Sequence, residues 1–179
     1  MHPIFEKLQR DIAQSLEGLD AGQTQLRPIN SPDKWTIQQI VQHLCLSYSS
    51  TDDAVLNRLD KDRPTRTLPT VPQRCAQFFV TKLNFFPTGR EAPLGVVPPA
   101  PALSSEFQMS GPMLAHETAR YLAQTDQLLG KADSRFGSAR FASHGVLGPL
   151  SASQWRSFHL VHGRHHVKQI WAIRHGNKI

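Results

Sequence analysis

Apolar residues return at intervals of three and four along most of the chain, and five segments carry this helical period. In the first, about Pro3 to Leu19, Ile4, Leu8, Ile12, Leu16 and Leu19 form one stripe. Pro3 suits a first helical turn, where its missing N–H would have no intrahelical acceptor anyway. The second segment opens behind Trp35, where Thr36 and Gln39 have the spacing of a capping box. It runs to about Leu59 with Ile37, Ile40, Val41, Leu44, Tyr48, Val55 and Leu56 at apolar positions, and Pro64 and Pro69 then mark a connector. A third helix is expected over about Val71 to Phe86, with Cys75, Phe78, Phe79 and Leu83 as its apolar positions and Pro87 as its stop.

Residues 87–110 carry Pro93, Pro98, Pro99 and Pro101 and cannot form regular helix, because each proline removes a donor and clashes with the preceding turn. So long a connection is expected either to be functional or to pack over the rest of the fold. A fourth helix begins near Ser110, with Pro112 in its first turn, and ends at Gly130. Phe136 to Leu150, with Gly137, Gly145, Gly148 and Pro149, reads as loop. The last helix opens on Ser151 and Gln154, again with capping-box spacing, and runs to about Arg174 before Gly176. No internal repeat and no alternating pattern of useful length for a strand is present. An all-α fold follows, a single helical-bundle domain over residues 1–179 with additional short helix or loop segments.

Composition narrows the class. A chain of 179 residues with 39% hydrophobic content can bury a core of its own and is not a disordered polymer. No stretch approaches the roughly 20 apolar residues of a membrane span. Charges are scattered through the N-terminal stretch to Leu16, which therefore does not read as a signal peptide. The expected compartment is the cytoplasm, with no membrane partner. Cys45 and Cys75 have no CxxC partner and fall in apolar helical patterns, so both read as buried free thiols. The formal charge of +6 is dispersed, without a Lys/Arg run or interleaved aromatics, and reads as a solvated basic surface rather than a specific nucleic-acid groove.

Histidine is the informative residue. The last helix contains His159, His162, His165 and His166. His162 and His166, four apart, project from one face, so two imidazoles can reach one ion at about 2.0–2.1 Å each. The pairs His162/His165 and His159/His162 have usable spacing too, but Trp155, Phe158, His162, His166, Gln169 and Ile173 fall near one side, with His159 and His165 towards its margins. A third ligand must come from another helix. His43 is the best placed, with Ile40 and Ser47 a turn away on either side. His116-Glu117 on the fourth helix competes, whereas His2, His144 and His175 fall at termini or in loops. The pattern is not HExxH, because Gly163 stands where that motif needs its general base. Glycine inside a helix costs about 0.5–1 kcal/mol relative to alanine, which a close approach of another helix or a ligand would explain, and simple tolerance equally so.

Two segments together carry a family resemblance. Trp35-Thr36-Ile37, followed by Ile40 and His43-Leu44, and His162-Gly163-Arg164-His165-His166 followed by Gln169-Ile170, resemble the DinB/YfiT-like superfamily of metal-dependent enzymes in sequence and in order. The resemblance implies a DinB-like four-helix bundle with a divalent metal, zinc or nickel, near one end. By position, the family's three histidine ligands fall on His43, His162 and His166. It also implies chemistry on a small-molecule substrate in a bacterial setting. Characterised relatives include transferases and isomerases that use a low-molecular-weight thiol such as mycothiol or bacillithiol. A thiol-dependent S-transferase is the leading expectation; a metal-dependent hydrolase using bound water and a non-catalytic metal-binding bundle are the alternatives. A homodimer is the assembly allowed for. The Pro-rich segment 87–110 departs from the family pattern.

Overall fold

In the computed structural model, which describes residues 1–85, 94–101 and 104–179, the helices begin where side chains can satisfy their free N–H groups. The expected capping boxes at Thr36/Gln39 and Ser151/Gln154 are both formed, and Thr70/Gln73 makes a third. They open α2 (Ile37–Asp60), α5 (Ala152–Asn177) and α3 (Val71–Leu83). The imidazole of His2 caps α1 (Pro3–Leu16) by accepting from the Ile4 N–H. Helix ends are equally local: α1 stops before Gly18, at φ +75°, and α4 (Gly111–Phe136) stops at Gly137, at φ +57°.

Helices α1 and α2 each pack against both α4 and α5, which makes these four the bundle. Phe5, Leu8 and Ile12 meet Ile37, Leu44 and Tyr48, Leu114, Leu122 and Leu129, and Trp155 and Ile170 in one continuous core. Each large side chain so buried contributes about 1.5–3 kcal/mol, which outweighs the weak intrinsic preference of any single helix. Two glycines let helices approach closely. At Gly111 a Cβ would collide with the Leu16 carbonyl oxygen, and at Gly163 it would stand 2.5 Å from Leu8 Cδ1. Close approach of a neighbouring helix is therefore the reason for glycine in the middle of α5.

Several expectations are corrected. Helix α1 ends at Leu16, so Leu19 is buried from the following turn. Helix α4 runs through Gly130 to Phe136, since a single interior glycine costs too little to stop a helix whose next turn buries Ala132. The stretch expected as loop contains a hairpin, β1 (Ala142–His144) with β2 (Gly148–Leu150), paired Ala142↔Leu150 and His144↔Gly148. Three residues per strand are too few to show an alternating pattern. Helix α3 ends at Leu83; the expected end at Phe86 and the Pro87 stop lie outside the described residues.

Helix α3 also lies outside the bundle, against α5, with only Gln77 and Val80 buried. The Gln77 amide donates to the carbonyls of Leu147 and Pro149 and so ties α3 to the hairpin. Phe78, Phe79 and Leu83 are consequently exposed, and so is Cys75, which was expected to be buried; Cys45 is buried as expected. Leu56, near the end of α2, is exposed as well. No helix among the described residues is long and apolar enough to cross a membrane.

Candidate metal centre

The second turn of α2 and the middle of α5 face one another, and this juxtaposition brings His43, His162 and His166 together. Each is 5% exposed. His43 Nε2 lies 3.1 Å from His162 Nε2, which lies 3.0 Å from His166 Nε2. Two residues with no ionisable group orient the outer rings. His43 Nδ1 donates to the Val96 carbonyl at 2.7 Å, and His166 Nδ1 donates to Gln169 Oε1 at 2.8 Å. Trp35 lies against His43 with centroids 4.9 Å apart, and Phe158 stacks on His162 at 5.3 Å and 11°.

The tautomers follow from these partners. A proton on Nδ1 of His43 and of His166 leaves the Nε2 of each as a lone pair directed at His162. One proton on His162 Nε2 can serve only one of those lone pairs at full strength. A divalent cation, in contrast, takes a lone pair from all three. The observed separations lie within a few tenths of an ångström of the roughly 3.4 Å between two nitrogens each about 2.1 Å from a tetrahedral ion. The donor set therefore fits a divalent metal. These three side chains also form the cluster of metal-ligating type found among the described residues, their ligand atoms all within 4.8 Å of one another.

Electrostatics favour the same state. Burial lowers the pKa of His43, against the raising effect of the Val96 carbonyl. It lowers His162 strongly, reinforced by His166 and His43, and brings His166 down to about 3, reinforced by His43. All three imidazoles are thus neutral at physiological pH, the form that coordinates.

The remaining histidines divide by environment. His159, expected at a margin, is fully buried, because α1 and α2 cover that side of α5. Its Nε2 is 3.0 Å from Thr51 Oγ1 and its ring lies among Phe5, Tyr48 and Trp155. His116, the competing ligand, is exposed on α4, and Glu117 pairs with Arg120 at 2.8 Å. His144 packs on Phe158 and accepts from the Val146 and Leu147 N–H groups. His165 sits beside the cluster, 3.1 Å from Gln169 Nε2.

The described part of the Pro-rich segment lies along the first turns of α2. Besides the Val96 contact, the Pro99 carbonyl accepts from Gln39 Nε2 at 2.9 Å, and the Phe107 carbonyl accepts from Gln38 Nε2 at 3.0 Å. The described part of the segment is thus packed over the bundle at the histidine cluster; Pro87 and Pro93 lie outside the described residues.

A family model described as the DinB superfamily matches residues 4–170, which includes every residue of the cluster. The chain belongs to the DinB superfamily. No curated protein and no solved structure matches it. Within this DinB-superfamily chain, the orienting role of Val96 had no sequence signal, since it acts on a residue 53 positions away. Gln169 did have one: it stands three residues after His166, on the same side of the helix.

Proposed function

We propose that this protein is a divalent-metal-dependent enzyme in which His43, His162 and His166 hold one ion through their Nε2 atoms, within a single cytoplasmic domain. The observation that carries this reading is the convergence of three buried Nε2 atoms, with two of the three Nδ1 atoms committed elsewhere. Bound there, zinc or nickel would supply Lewis acidity, favouring a thiol as its thiolate or lowering the pKa of a water. The chain's own residues set up that chemistry. Three neutral imidazoles and two partners without charge, Val96 and Gln169, leave the ion's positive charge uncompensated, which suits an anionic sulfur. Trp35 and Phe158 flank the rings, lower the local dielectric and restrict water. We assign the reaction as S-transfer from a low-molecular-weight thiol to an electrophilic small molecule.

Elemental analysis of untagged protein should find about one divalent ion per chain, reduced sharply in His43→Ala, His162→Ala and His166→Ala. Full metal content in His43→Ala and His162→Ala would overturn the ligand set. With metal loaded, bacillithiol, mycothiol or glutathione should add to a model electrophile faster than without protein, and His166→Ala should lose that gain while staying helical by circular dichroism. Ester or amide hydrolysis without thiol acceleration would replace S-transfer by hydrolysis. Turnover of neither kind would leave a non-catalytic metal-binding bundle.

A further inference from the structure

The side chain of Gln169 touches two histidines at once. Its Oε1 is 2.8 Å from His166 Nδ1, and its Nε2 is 3.1 Å from His165 Nε2. An amide can accept only at oxygen and donate only at nitrogen, so these contacts define one proton arrangement. The amide N–H₂ donates to His165 Nε2, and the carbonyl oxygen accepts from the Nδ1–H of His166. His166 then has its Nε2 lone pair directed at His162 Nε2, 3.0 Å away. The reversed amide would present N–H₂ to His166 Nδ1, require a lone pair there, and move the ring proton to Nε2, where it would occupy the position a metal needs.

We propose that Gln169 is a positioning residue of the metal centre: its amide, with the oxygen on His166 and the nitrogen on His165, holds His166 in the Nδ1–H tautomer and aims its Nε2 at the ion. Every contact in this chain is supplied by α5 itself. His165, His166 and Gln169 lie within about one helical turn, so the arrangement does not draw on a neighbouring segment. His43 is oriented differently, by a backbone carbonyl from the Pro-rich segment. The two outer histidines of the cluster therefore depend on separate parts of the molecule, and of the three cluster histidines substitution at Gln169 acts directly on His166. An acceptor on Nδ1–H also makes the ring a stronger donor at Nε2, because it stabilises the positive charge that coordination places on the imidazole.

This inference rests on the proposed metal site, and its test separates the two. Zinc affinity is measured by competition with a chromophoric chelator for the wild type, Gln169→Leu and Gln169→Glu, and cobalt(II) absorption spectra are recorded for each. Gln169→Leu keeps the approximate volume but offers no acceptor, and should weaken zinc binding about 10–100-fold and alter the cobalt band. Gln169→Glu keeps the acceptor and should bind at least as tightly as wild type. Zinc binding by Gln169→Leu within twofold of wild type would overturn the role of Gln169. A wild type that binds no divalent ion would instead overturn the metal site itself. Should Gln169→Leu fail to fold, long-range ¹H–¹⁵N spectra of the zinc-loaded wild type decide the matter: a protonated Nδ1 and zinc-bound Nε2 on His166 are expected, and the opposite assignment refutes the proposal.

Discussion

At the scale of single residues, burial dictates the protonation of the histidines and so the response to acid. Packing against Phe158 and Trp155 brings His144 to about 4, and enclosure of His159 brings it to about 3, against about 6.5 in an unfolded chain. Between those values the unfolded chain binds more protons than the folded one. The stability these neutral rings contribute is therefore complete above roughly pH 6.5 and is lost as pH falls towards 4 and then 3. Asp52 acts in the opposite sense. Burial raises it to about 6, so between there and its ordinary range of about 4 the folded chain holds the extra proton, and acid in that window favours folding. With His43, His162 and His166 lowered in the same sense when no metal is bound, the imidazoles outweigh the one carboxyl and the net is a loss. The urea midpoint of chelator-treated protein should fall steadily from pH 7 to pH 4.5, and more steeply in Asp52→Asn. A midpoint unchanged over that range would mean that these imidazoles are solvated.

At the scale of elements, the site is the meeting of α2 with α5, and the spacing of α1 from α5 helps set where α5 lies. Gly163, between His162 and His166, admits Leu8 of α1, whose Cδ1 would be 2.5 Å from an added Cβ. Leu8 is fully buried and cannot swing aside. Gly163→Ala gains about 1 kcal/mol of helix propensity, but overpacking of this kind costs about 1–3 kcal/mol. A net destabilisation of about 1 kcal/mol is expected in urea titrations. In the Leu8→Ala background the same substitution should become neutral or stabilising, because the obstructing atoms are gone; equal effects in both backgrounds would refute the contact. Helix boundaries were legible in the sequence wherever a cap sets them, as at Thr36 and Ser151. They were not legible where tertiary burial carries a helix through a weak breaker, as at Gly130.

At the scale of the whole molecule, a continuous apolar core runs through α1, α2, α4 and α5 beside the histidine cluster and is large enough to hold the fold by itself. Chelation should therefore leave the protein helical and cooperative, while a metal that binds only the folded chain stabilises it by mass action. At free metal 100 times Kd this amounts to about 2.7 kcal/mol, or about 5–10 °C in Tm for a chain of this size. Unfolding on chelation, measured by circular dichroism, would assign the metal a structural role instead. The amino-acid sequence by itself determined the all-helical class, the capped helix starts, the single face shared by His162 and His166, and the family, because each depends on local spacing or on an ordered pattern of residues along the chain. Tertiary structure alone decided that α3 lies outside the bundle with Cys75 and its phenylalanines exposed, that His159 is enclosed, and that Val96 orients His43. Periodicity marks which residues share a face of a helix. Which neighbour covers that face depends on contacts between residues far apart in the chain, and no local pattern encodes those.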